Sequence, residues 1–155
     1  MKKTPVRIAA IATMSIALAL TTAAVRAPSD VNAKPTITVY KDPSCGCCKN
    51  WIEHLLKHGY RVDAKDSPNM SEIKHTLGVP DAVTSCHTAM VNGYLIEGHV
   101  PAADIDRLLA KKPHVAGLAV PGMVAGSPGM EGPRAEHYKV LSFDKNGKTS
   151  VFASY

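Results

Sequence analysis

Thr36-Ile37-Thr38-Val39-Tyr40 alternates polar and apolar side chains in a β-branched run, the period of a half-buried strand. Lys41-Asp42-Pro43-Ser44 then turns the chain, and Ser44 stands where a cap would open a helix over residues 45–58, closed by Gly59. At about 100° per residue, Cys48, Trp51, Ile52, Leu55 and Leu56 share the inward face of that helix. Cys45 falls at the edge of this face and Cys47 nearer the polar side. Residues 60–64 read as a second strand. A second helix begins at Ser67-Pro68-Asn69-Met70, turns Met70, Ile73 and Leu77 inward, and stops at Gly78. Residues 79–85 form a loop leading to Cys86. Residues 87–91 and 94–98 make a hairpin about Asn92-Gly93, a pair that supplies the positive φ angles of a two-residue turn. Residues 101–112 form a third helix with Ile105, Leu108 and Leu109 apolar. Over 117–133, five glycines and three prolines predict an irregular loop, in which Pro121-Gly122-Met123 recurs as Pro128-Gly129-Met130. A short hairpin closes the chain, 137–143 and 149–154 about the turn Asp144-Lys145-Asn146-Gly147.

The resulting order, β-α-β-α-β-β-α with a cysteine motif at the first strand-to-helix junction, is the pattern of a thioredoxin-like α/β fold. The Gly/Pro/Met loop and the closing hairpin are additions to it. In that pattern the loop before the third strand crosses the active-site cysteines and usually carries a cis-proline. Here Cys86-His87 holds that place, so Cys86 is expected to face Cys45-Gly46-Cys47-Cys48 in space.

The first residues change the picture of compartment and charge. Lys2, Lys3 and Arg7 precede an apolar stretch from Ile8 to Val25, broken only by Thr13, Ser15, Thr21 and Thr22. Small-residue cleavage sites follow at Val25-Arg26-Ala27 and Val31-Asn32-Ala33. This predicts a secretory signal peptide over 1–33 and an exported domain over 34–155 with no membrane span after cleavage. The net charge of +5 belongs largely to the leader: without it 14 basic and 12 acidic residues remain. No basic run longer than Lys111-Lys112 is left, which excludes a nucleic-acid footprint.

Three of the four cysteines fall within Cys45-Gly46-Cys47-Cys48, and the fourth is Cys86. Neighbouring cysteines are poorly placed to bridge one another, so the cluster is not a set of scaffold disulfides. Two chemistries stay open. In thiol–disulfide exchange, Cys45 at a helix N-terminus would attack and Cys48 would resolve, leaving Cys47 outside the scheme. In metal binding every sulfur is used, because thiolates are soft ligands for Cu(I), zinc or iron–sulfur clusters. A closed tetrahedral zinc site is usually built from two separated Cys-x-x-Cys units, whereas three sulfurs this close suit bridged copper. Copper is therefore the expected ion, with zinc the runner-up.

Further donors are suggested by position. Met123 and Met130 sit in the Gly/Pro loop rather than on an apolar face, and thioethers bind Cu(I) without deprotonation. Met70 and Met90 fall at inward positions and read as core. His87, beside Cys86, is the best histidine candidate as a ligand or supporting donor. His54 and His58 have the i, i+4 spacing of metal ligands but share a polar face with Asn50, Glu53 and Lys57, so a solvated face is expected. His75, His99, His114 and His137 read as isolated. Trp51 is expected in the core beneath the cluster.

Tyr40-Lys41-Asp42-Pro43-Ser44-Cys45-Gly46-Cys47-Cys48, followed by Ser85-Cys86-His87 and the Gly122-Met123 loop, resembles the periplasmic CopG-type copper-resistance proteins over nearly all of the predicted mature chain. These form a family long labelled as a domain of unknown function. The resemblance implies a thioredoxin-like fold, a periplasmic address and a cysteine-bridged Cu(I) cluster of several ions. Its ligands would be Cys45, Cys47, Cys48 and Cys86. It further implies copper handling through sequestration, transfer or redox change, with other periplasmic copper carriers or exporters as partners. If the protein is an enzyme, its chemistry would be a copper- or thiol-dependent oxidoreduction.

Overall fold

The computed structural model describes residues 33–155; the predicted signal peptide, all but its last residue, lies outside the described residues. Strand β1 (Thr36–Lys41) leads into helix α1 (Gly46–Lys57), strand β2 (Arg61–Asp66) and helix α2 (Met70–Leu77). A 3₁₀ turn at Asp81–Val83 precedes the hairpin β3 (Thr88–Val91) and β4 (Tyr94–Glu97), then helix α3 (Ala102–Lys111). β5 (Gly117–Ala119), β6 (Lys139–Phe143) and β7 (Thr149–Ser154) complete a mixed α/β fold. All seven strands join one sheet in the order β2-β1-β3-β4-β5-β6-β7.

Alternation along the strands sorts side chains between two faces. Ile37, Val39, Ala89, Val91, Ile96, Leu118 and Val140 lie on one face, against Trp51 and Leu55 of α1 and Ile105 and Leu108 of α3. Leu95, Ala119 and Phe143 point the other way, to Val79 and Val83, with Leu77 and Met90 partly buried beside them. Met90 is thus at the margin of the second cluster, and Met70 is likewise half-buried rather than core. Leu56, expected inward, is 52 % exposed: Cys48, Trp51 and Leu55 form a narrower stripe that leaves it outside.

Two local expectations are corrected. The cap of α1 is Cys45 rather than Ser44: its sulfur accepts from the Cys48 amide, while Asp42 accepts from the Ser44 amide and hydroxyl and tightens the preceding turn. The stretch 117–133 is not irregular throughout, since Gly117–Ala119 is a fully buried strand pairing parallel with β4 and antiparallel with β6. Gly117 marked a close approach rather than a loop. A Cβ there would lie 2.0 Å from the Leu95 carbonyl oxygen.

The pairing directions decide what meets at the sheet's end. β1 and β3 are antiparallel, with Tyr40 opposite Thr88, so the exit of β1 lies beside the entry to β3. β4 is antiparallel to β3 and β5 is parallel to β4, so both leave the sheet at this same end. Residues 42–48, 84–87, 98–101 and 120–130 are thereby gathered together.

Candidate metal centre

At this end of the sheet the ligand atoms of Cys45, Cys47, Cys48 and Cys86 all lie within 4.8 Å of one another. Cys45 and Cys48 are joined as a disulfide, with a Cα–Cα distance of 5.4 Å, while Cys47 and Cys86 are free thiols. The Cys47 sulfur is 3.5 Å from that of Cys45 and 4.0 Å from that of Cys86. Cys48 is fully buried, on the stripe with Trp51, whereas the other three are half-buried.

Two imidazoles complete the arrangement. His87 Nδ1 is 3.3 Å from the Cys86 sulfur and His99 Nε2 is 3.1 Å from it. His99 Nδ1 lies 2.7 Å from the Pro128 carbonyl oxygen, an acceptor only, so Nδ1 carries the proton and Nε2 presents a lone pair to Cys86. A backbone carbonyl that orients an imidazole in this way is a recurrent support of histidine metal ligands. His87 is fully buried between Trp51, at 4.4 Å between ring centres, and His99, at 5.0 Å. Its Nε2 has no hydrogen-bond partner. Either tautomer of His87 therefore leaves Nε2 unpaired, so the Nδ1 lone pair can be offered to an ion with loss only of the contact to Cys86.

Burial governs the protonation of these groups. Loss of water, followed by the neighbouring Cys47, pushes the Cys86 thiol up to about 12, so an ion must displace its proton. Burial also holds His87 and His99 below the ordinary imidazole value, His87 strongly, with His99 and Lys74 adding to the effect on His87. The shift favours the neutral form of both rings, the form that binds metal. Two soft thiols, a reducible sulfur pair and two neutral imidazoles form a donor set suited to copper or zinc.

The surrounding chain fixes these side chains. Beneath Ser85-Cys86, the fully buried Glu97 carboxylate accepts from the Ser85 amide at 2.6 Å, from Thr88 Oγ1 at 2.6 Å and from Lys74. Trp51 Nε1 donates to the Val100 carbonyl, and His54 Nε2 accepts from the Ala102 amide at the start of α3. His54 is thus a helix cap rather than part of a solvated face; His58 is exposed as expected.

The two Pro-Gly-Met repeats dock on different segments beside the cluster, one on the loop before Cys86 and the other on α1. The Gly122 amide donates to the Thr84 carbonyl and its carbonyl accepts from Ser85 Oγ. Gly129 lies against α1, where a Cβ would come 2.6 Å from the Trp51 nitrogen and 2.9 Å from the Cys47 oxygen, at a φ of +82°. Met123 is 62 % exposed and Met130 half-buried. Sequence reading brought out the four cysteines and His87 but passed over His99. Its signal was in the hairpin: the two-residue turn pairs Thr88 with Glu97, and continuing that register past the strand ends sets Cys86 opposite His99.

Comparison with known proteins agrees with this geometry. Residues 83–130, which hold Cys86, His87, His99 and both Pro-Gly-Met repeats, match the family model described as "Protein of unknown function, DUF411". No curated protein sequence matches the chain. Two solved structures, named copper resistance protein CopG form 1 and form 2, each share 46 % identity with it at a TM-score of 0.74. Each comparison covers 79 % of this chain and 98 % of the solved one. With likeness in both sequence and fold over nearly the whole of those proteins, this chain belongs to the CopG family of copper resistance proteins.

Proposed function

We propose that this protein is an exported, periplasmic copper-binding protein whose reduced form holds several Cu(I) ions in a cluster bridged by the thiolates of Cys45, Cys47, Cys48 and Cys86. The observation that carries this reading is the convergence of four sulfurs from two distant segments within 4.8 Å. Three of these sulfurs come from four consecutive residues rather than from two separated Cys-x-x-Cys units, which suits bridging, with each sulfur binding more than one ion, better than a single structural zinc site. His87 and His99 complete the donor set on the Cys86 side. Met123 and Met130 serve as thioether donors from the two docked repeats. The basic start and apolar stretch of residues 1–33 support export. Among the described residues no helix is long and apolar enough to cross a membrane. The role is copper resistance, by sequestering copper or passing it to other copper carriers or exporters.

Anaerobic titration of the reduced protein with Cu(I), against a competing Cu(I) chelator, is expected to show more than one ion per chain. Cys86→Ser should weaken binding by about tenfold or more, the loss of about 1.4 kcal/mol or more. A stoichiometry of one zinc and no Cu(I) affinity would overturn the reading.

One observation favours a second reading, a thiol–disulfide oxidoreductase. The Cys45–Cys48 disulfide lies at the N-terminus of α1, with Cys45 partly accessible. On that reading the reduced protein would reduce a disulfide substrate at a rate that Cys86→Ser leaves unchanged, and Cu(I) titration would find no site.

A further inference from the structure

We propose that the end of the sheet remote from the cysteines is a docking surface for an anionic phospholipid bilayer, on which the protein sits with its metal centre turned away. This rests on the export reading above and adds a surface to it.

The strand directions sort the connections between two ends of the sheet. The cysteines lie where β1, β4 and β5 leave it. The α1–β2 turn, the β3–β4 turn, the link from α3 to β5 and the β6–β7 turn lie at the other end. That remote end gathers Lys57, Arg61, Lys111, Lys112, Lys145 and Lys148 from separate stretches of chain, and all six are exposed. Among the described residues none of the six forms an ion pair; the pairs present use Lys34, Lys41, Lys65, Lys74 and Arg107. Two carboxylates lie beside them: Asp144, which accepts from the Asn146 and Lys148 amides, and Asp81, which shares a cleft with Lys145. Asp63 and Asp106, toward the middle of their elements, are already held by Lys65 and Lys34. Of the 14 basic and 12 acidic residues after position 33, eight and ten are left for the rest of the molecule. A small net charge thus conceals a separation, basic at one end and acidic over the remainder.

The breadth of the basic end selects its partner. Arg61 opens β2 at one edge of the sheet and Lys148 precedes β7 at the other, six strand spacings or about 28 Å apart. Cations spread so widely do not grip a short acidic peptide, whereas a planar layer of anionic headgroups meets them together. An exported protein meets such a layer and no nucleic acid. The chain reaches β1 at Thr36 from this same end, so the apolar stretch from Ile8 to Val25 is joined to the domain where the positive charge is carried. Leu56, 52 % exposed beside Lys57, adds an apolar side chain able to enter the headgroup layer.

The test uses residues 34–155, which contain both apolar clusters and every strand. Vesicles are made of phosphatidylglycerol and phosphatidylcholine in equal parts, or of phosphatidylcholine alone. At low salt the protein is expected to sediment with the first and not with the second. Salt at about 0.5 M, where the screening length falls to about 4 Å, should release it. Lys111→Glu with Lys112→Glu should weaken binding by about tenfold or more. Lys49→Glu with Lys139→Glu, the same change of net charge at the cysteine end, should weaken it by about threefold or less. Alkylation of Cys47 should proceed at one rate with and without vesicles. No binding to phosphatidylglycerol, equal binding to both vesicles, equal losses in the two double variants, or a Cys47 shielded by lipid would overturn the proposal. Retention on heparin without binding to phosphatidylglycerol would assign the surface to a soluble polyanion and overturn it as well. These results leave export untouched; that reading fails instead if the full chain stays in the cytoplasmic fraction of the cell.

Discussion

Glu97 brings a negative charge into the interior with no exposed surface, where burial raises its carboxyl and Lys74, Thr88 and the Ser85 amide offset part of that rise. Its bonds hold the residue next to Cys86. Glu97→Gln should cost about 3–5 kcal/mol in urea unfolding, because it leaves the Lys74 ammonium buried without its counter-charge. His54 gives a prediction in pH. Burial, then His58, holds its imidazole below the ordinary 6.5, and its lone pair caps α3. Above 6.5 both folded and unfolded forms are neutral and the contribution is complete. As pH falls through 6.5 the unfolded chain takes up the proton first, so stability drops. The melting temperature should therefore fall between pH 7.5 and 5.5, and His54→Gln, which keeps an acceptor but does not titrate, should show a shallower fall; His87, buried neutral, adds in the same direction. Neither role was legible in sequence: the hairpin register announces Thr88 opposite Glu97, but Lys74 and the Ser85 amide, like the Ala102 amide that His54 meets, come from other segments that no spacing links. The four cysteines were legible because their chemistry is local to the side chain.

The elements show what a sequence pattern carries. Asn92-Gly93 announced a tight hairpin, and that turn alone sets the register on which Cys86 and His99 meet. Reading His99 as isolated came from treating spacing along the chain, rather than across the hairpin, as the measure of nearness. β5 was hidden for a different reason: three buried residues with a glycine among them have the composition of a loop, and only the neighbours of Gly117 make them a strand. The repeat Pro128-Gly129-Met130 was visible as a motif, but its docking on α1 was not. Gly129→Ala places a Cβ against the Trp51 and Cys47 backbone at a left-handed φ, so it should destabilise the protein by more than about 1 kcal/mol. It should also weaken Cu(I) binding in the same titration, since Pro128 orients His99.

On the scale of the molecule, the fold stands on two apolar clusters on opposite faces of one seven-stranded sheet, not on its disulfide. The Cys45–Cys48 bond closes a loop of a few residues, so the chain-entropy model gives it only about 2 kcal/mol. Reduction should therefore leave the metal-free protein folded, with a circular dichroism spectrum unchanged and a melting temperature lowered by about 10 °C or less. The element order over 36–111 was readable because each helix and hairpin carries its own stop signals; that β5, β6 and β7 extend the same sheet depended on pairings far apart in sequence. The antiparallel pairing of β1 with β3 has one more consequence. It ties the backbone leading to Cys47 to the backbone leading to Cys86 through main-chain hydrogen bonds, so the spacing of these two sulfurs is set from within the sheet. His99 instead takes its orientation from a carbonyl in a loop. On the copper reading, the two free sulfurs and the His99 imidazole are therefore held by separate parts of the chain, the first by the sheet and the second by the loop.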